Sequence, residues 1–228
     1  MAKQTVDTSS PTVTHAGDVA VDSRSVSTKM KMDYLHGIGE PIQRRLDGIQ
    51  GLLAHFRKPQ LDIDALIMDA AGLIAKHMSI DAISIGLRDS RDGLYRYRAM
   101  VGFRDDAMEA LKRISYRKEQ FYENPEYHGS DVSKQTRLYL AEDNVLLDSE
   151  LKSFNRPGLL TAKRTSTSES LEGDYMDIKI LGPFDDLLGW IEISGTRSMR
   201  LPDATAIRWI EVIASIIGTA VMYKAAHG

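Results

Sequence analysis

The sequence predicts an α+β domain: one antiparallel sheet packed on flanking helices. Three observations carry this. Four short segments alternate apolar and polar residues with period two, and they fall into two pairs joined by turn signals. Stretches with helical apolar spacing precede the first pair and follow the second.

In chain order, residues 1–29 are rich in Ser, Thr, Val and Asp without any period, and are expected to be a disordered tail. Residues 30–58 are expected to hold an N-terminal dimerisation helix. Pro41 suits a first helical turn, and Lys58-Pro59 ends the helix. Between them Ile42, Leu46, Ile49, Leu53 and Phe56 make a heptad seam too short to stand without a partner. A sensor domain is expected over 60–226. A second helix, 62–78, carries Leu66, Ile67, Ala70, Leu73 and Ile74 on one stripe, with His77 as a residue near its end. Residues 81–88 alternate as a strand, Asp92-Gly93 marks a turn, and 94–101 returns. A short helix over 104–113 follows, then a polar and aromatic stretch, 115–135, and a short strand, 136–141. Residues 142–174 read as mostly irregular, with a mobile loop at 165–170. A second hairpin joins 175–181 to 188–194, and a long helix starts at Pro202-Asp203 and runs to about 226.

Alternation also assigns the sheet's faces. Ile83, Ile85, Leu87, Ile178, Ile180, Ile191 and Ile193 share one face, which must lie under helices. Ser84, Gly86, Asp177, Lys179, Trp190, Glu192 and Ser194 share the other. Small floor residues, aromatic walls and a few polar groups suit a small-molecule pocket, with the two long connections folding over it. On the last helix, Ile210, Ile213, Ile217 and Ala220 form one stripe, and Trp209, Val212, Ile216 and Tyr223 a second. One stripe can pack on the sheet; the other, with the seam at 42–56, suits a two-fold homodimer through a helical bundle. The expected interface comprises Ile42, Leu46, Ile49, Leu53, Phe56, Ile210, Ile213 and Ile217.

Composition excludes several functions. Among 228 residues, 29 basic and 32 acidic side chains leave a net charge of −3, a balance with no field for nucleic acid or an anionic membrane. With no cysteine, there are no disulfides, thiolate metal sites or cysteine nucleophiles. No apolar run of bilayer length and no signal-peptide pattern is present, so a cytoplasmic location is expected. No Walker A loop, dinucleotide fingerprint or Gly-x-Ser-x-Gly elbow occurs. The six histidines lie too far apart in sequence for a helical metal pair. No catalytic residue and no metal site is therefore expected. Asp185-Asp186 reads as turn residues, and Lys163-Arg164-Thr165-Ser166 as a solvated charge run rather than a phosphate loop.

The segment Leu188-Gly189-Trp190-Ile191-Glu192-Ile193-Ser194, followed by Arg200-Leu201-Pro202-Asp203 and an apolar helix, resembles the last strand and closing helix of GAF domains. Asp81 to Leu87 resembles the first strand of that family, and the likeness spans roughly residues 60–224. It implies a five- or six-stranded antiparallel sheet, terminal helices on one face, long loops over a pocket on the other, and dimer contacts through the helices. It also implies a non-catalytic domain that senses a small organic or nucleotide-like molecule and regulates a partner, here a sensor kinase or transcriptional regulator in trans. The cyclic-nucleotide signature cannot be assembled, and the cysteines of the bilin-binding and sulfoxide-reducing branches are absent. Expected to line the pocket are Ser84, Tyr95, Tyr97, Tyr116, Phe121, Tyr127, His128, Arg137, Tyr139, Asp177 and Trp190. Two alternatives stand beside sensing: a ligand-free dimerising scaffold, and a haem-based gas sensor with His128 as axial ligand.

Overall fold

The computed structural model describes residues 23–37, 41–122, 127–144 and 151–227. Residues up to 40 and from 41 onward form two separate units. In the first, Ser23–Gly37 is a helix, α1, with Lys29 paired to Asp33 one turn on at 2.5 Å. This corrects the expected boundaries. Residues 23–29 are helical, not tail, and the segment 30–58 holds parts of two helices, the second opening at Pro41, whose missing N–H costs nothing at that position. Residues 1–22 of the expected tail lie outside the described residues.

The second unit begins with α2, Pro41–Ala54, and one 3-10 turn, His55–Arg57, which gives way to extended backbone at Lys58 ahead of Pro59. Helix α3, Ile63–His77, is capped by Asp62, whose carboxylate accepts the Ala65 N–H at 3.1 Å. Strands β1 (Ile80–Arg88) and β2 (Tyr95–Val101) form the first hairpin. Beyond it, Gly102 takes φ +83°, and a Cβ there would lie 1.6 Å from the Asp81 carbonyl oxygen, so only glycine fits. Then come α4 (Asp105–Lys112), β3 (Gly129–Asp131), β4 (Thr136–Tyr139), β5 (Tyr175–Leu181), β6 (Leu187–Thr196) and α5 (Ala204–His227). The sheet is wholly antiparallel, ordered β2-β1-β6-β5-β4-β3, with six strands. The sixth, β3, falls in a stretch expected to be loop; three residues are too few to display alternation.

The branched aliphatic face lies under helices, as the alternation required. Ile83, Ile85, Ile178 and Ile191 have no exposed surface and share one core with Leu66, Ile67 and Ile74 of α3 and Ile210 and Ile213 of α5. The expectation that Ile210, Ile213 and Ile217 meet a second subunit is corrected here. All three are wholly buried within the chain, because α5 lies along β5 and turns that stripe to the sheet. By length and composition α5 is also long and apolar enough to cross a bilayer, against the expectation that no run of that length exists. The buried stripe against the sheet accounts for that apolarity.

Two loop expectations change as well. Residues 165–170 are tied down: Glu169 accepts from the Thr165 amide and hydroxyl, and Ser170 N–H reaches the Met199 carbonyl. Arg164 is no solvated charge. Only 16% exposed, it forks onto both oxygens of Asp174 at 2.8 and 3.0 Å and onto Glu142 at 2.8 Å.

Candidate functional site

The opposite face of the sheet carries a second, aromatic cluster under α4 and the long connections: Tyr95, Tyr97, Met100, Leu111, Phe121, Leu187 and Trp190. Trp190 is its centre. The indole sits over Gly86, where a Cβ would come within 2.0 Å of two ring atoms, so the glycine admits the ring. Tyr97, Tyr116 and Phe121 surround it with ring centroids at 5.0, 5.5 and 5.0 Å, mostly edge to face. Toward the other edge, Tyr139 and Tyr175 stack at 4.3 Å.

Between these two groups lies a cavity of about 160 Å³. Tyr97, Tyr116, Phe121 and Trp190 line it, with Tyr127, Tyr139 and Tyr175, and with Phe103 and Phe154 from outside the strands. Four carboxyl side chains also line it: Glu172, Asp174, Asp177 and Glu192. Their environments differ. Glu172 accepts from Arg156 Nε at 2.9 Å and from the Arg156 amide at 2.8 Å. Asp174 is held by Arg164 and by the amides of Ala141 and Leu171.

Asp177 and Glu192 stand side by side on β5 and β6 in a row that crosses the whole sheet. Pairing places Met100, Ser84, Glu192, Asp177, Arg137 and Asp131 abreast. Glu192 accepts from Tyr97 at 2.9 Å and from Ser194 at 2.9 Å. Asp177 Oδ1 is sealed from solvent and has no hydrogen-bond partner among the described residues. Burial pushes both carboxyls above their usual range, Asp177 further raised by its neighbour Glu192, and Glu192 drawn partly back by the Tyr97 and Ser194 donors. Burial also raises the Tyr97, Tyr139 and Tyr175 hydroxyls, so these remain neutral donors.

Of the residues the sequence assigned to the pocket, Tyr97, Tyr116, Phe121, Tyr127, Tyr139, Asp177 and Trp190 come together around this cavity. Ser84, Tyr95, His128 and Arg137 do not. Tyr95 is wholly buried and donates to the Leu187 carbonyl at 2.7 Å. Ser84 is buried beneath the lining. Arg137 donates to the carbonyls of Tyr122 and Gly129. His128 is exposed, and it is its backbone that Asn144 holds, which removes it as an axial ligand facing the cavity. Tyr175 and Glu192 share Asp177's alternation, so the strand pattern contained them. Phe154, Glu172 and Asp174 come from irregular chain with no signal of where they point.

No family model and no curated protein matches the sequence. Solved structures do resemble the fold. The GAF domain of an Acinetobacter phosphoenolpyruvate-protein phosphotransferase superposes with TM-score 0.53 at 11% identity, covering 83% of this chain and 97% of that one. The GAF domain of the phosphotransferase from Coxiella burnetii gives 0.52 at 13%, covering 82% and 95%. The chromophore-binding domain of a bacteriophytochrome from R. palustris gives 0.52 at 12%, covering 84% of this chain and 64% of that one. At such identities these likenesses speak for fold alone. The fold of this chain is thus GAF-like, and no particular subfamily is singled out.

Proposed function

We propose that this chain is a non-catalytic sensory and regulatory domain of the cytoplasm, binding a small organic molecule in the aromatic cavity. The observation that carries the reading is the cavity itself: about 160 Å³ held open between a sheet and its covering loops, with aromatic walls and a buried carboxyl oxygen left without a partner. A well-packed interior leaves few voids larger than a water molecule, so a space of this size supports an occupant. Its size matches one aromatic ring, since an apolar cavity of roughly 150 Å³ takes up benzene. Haem, bilins and cyclic nucleotides are far larger than that space.

The signal would leave through a homodimer. With Ile210, Ile213 and Ile217 turned to the core, the partner surface we propose is Ile42, Leu46 and Leu53 of α2 with Val212 and Tyr223 of α5, all substantially exposed. Ile49 and Phe56 are partly buried on the chain's own core, and Phe56 meets Tyr223 edge-on at 6.1 Å. Such a dimer acting on a sensor kinase or transcriptional regulator fits the near-neutral charge and the absence of catalytic motifs.

A thermal-shift screen of small metabolites against the full chain tests the ligand reading. A hit is expected, and its shift should vanish in Ser194→Trp, which fills the cavity from β6. If no compound raises the melting temperature, the reading fails. The exposed apolar residues favour a second reading, a dimerising interaction scaffold. In that case charged residues at Leu46 and Leu53 would abolish partner binding while small molecules did nothing.

A further inference from the structure

We infer that the cavity is built for a compact organic cation, an ammonium or guanidinium on a small apolar body. This rests on the reading of the cavity as a ligand pocket. Four carboxyls line it, and two already have arginine partners. The other two, Asp177 and Glu192, are cross-strand neighbours on its floor. The chain has cations at hand to pair with Asp177, and they are used elsewhere. Arg137 stands directly opposite it on β4, yet donates to two backbone carbonyls and approaches Asp131 at 3.8 Å. Lys179, two residues along β5, places its Nζ over the Tyr122 ring at 4.4 Å.

The row through Asp177 has a second property. The buried side-chain polar atoms without hydrogen-bond partners among the described residues are Ser84 Oγ, Asp177 Oδ1 and Arg137 Nε, and all three residues lie in that one row. Unsatisfied buried groups are costly and rare, and of these three residues Asp177 is the one that lines the cavity, so its unpartnered oxygen marks a place completed by something outside the chain. The chemistry of the surroundings selects the charge. Rings present a negative face to a cation, and Tyr97, Tyr116 and Trp190 line the cavity together with the carboxyls. An anion would meet two acids instead. Two acids side by side hold about one negative charge between them in a low-dielectric site, which matches a monocation.

The test uses four probes of one shape: benzylammonium, phenyltrimethylammonium, benzyl alcohol and benzoate, titrated calorimetrically into the full chain at neutral pH. Both cations are expected to bind at least tenfold more tightly than benzyl alcohol, with benzoate weakest. In Asp177→Asn, or Glu192→Gln if the first variant does not fold, the preference for cation over alcohol should shrink at least tenfold. Alcohol or benzoate binding as well as the cations would overturn the inference and leave the ligand reading standing. So would a preference that survives both substitutions. Silence from all four overturns the inference too, and only a blank metabolite screen in addition would bring down the reading beneath it.

Discussion

Gly86→Ala tests the packing that forms the cavity's wall. An added methyl at Gly86 would come within 2.0 Å of Trp190 Cζ3 and Cη2 and 2.6 Å of Cε3, whereas ordinary contact begins near 3.4 Å. The indole would have to retreat by about 1.4 Å to restore van der Waals separation. It is 1% exposed and ringed by Tyr97, Tyr116 and Phe121 at 5.0–5.5 Å, so it has little room to move except into the cavity. Overpacking of this kind costs about 1–3 kcal/mol, and a ring hemmed on three sides puts the cost toward the upper end. In a domain of this size that lowers Tm by about 6–12 °C for 3 kcal/mol. Urea unfolding followed by far-ultraviolet circular dichroism measures it. Trp190→Phe removes the atoms that clash, so the double variant should be more stable than the sum of the single changes by at least about 1 kcal/mol. If Gly86→Ala lies within about 0.5 kcal/mol of the parent, or the cycle is additive, the indole does not depend on that glycine.

Further outcomes are expected. Because burial raises the Asp177 carboxyl above its usual 3.8, its contribution to stability is full below that pH and is lost as pH rises through the folded-state value. Asp177→Asn should therefore melt progressively higher than the parent between pH 4 and 8, compared pairwise in the same buffers; a difference that shrinks or reverses with rising pH contradicts this. Arg164→Ala strands Asp174, whose side chain is 2% exposed, beside Glu172. That should destabilise the fold by about 3–5 kcal/mol in urea titrations, whereas a loss below about 1 kcal/mol would mean the pair behaves like an exposed one. Leu46→Glu with Leu53→Glu should convert a dimer to a monomer in sedimentation velocity without lowering Tm, since both side chains are over 40% exposed; an unchanged sedimentation coefficient removes α2 from the interface.

The strand alternation determined more than the element order. Because successive side chains point to opposite faces, Ile83, Ile85, Ile178 and Ile191 had to go under helices, and Asp177, Trp190 and Glu192 had to face the other way. Asp177, Trp190 and Glu192 line the cavity on that face, whereas Tyr116, Phe121 and Tyr127 reach it from chain outside the strands. The same reasoning could not choose between the two stripes of α5. Both are apolar, and the 3.6-residue period says only that they adjoin; contact with β5 decides that Ile210, Ile213 and Ile217 lie inside and Val212 and Tyr223 outside. Nor does periodicity reach the irregular chain. Arg164 and Asp174 are ten residues apart in a stretch without pattern, and only the fold shows them as a buried pair. His128 and Arg137 have the composition of ligand-binding residues, yet backbone contacts hold one outside the cavity and turn the other to carbonyls. Local pattern thus determines which face a strand residue takes, because that is a property of the backbone. Which charges end up paired, and which carboxyl is left without a partner in an aromatic cavity, depends on segments far apart in the chain, and only the tertiary structure decides it.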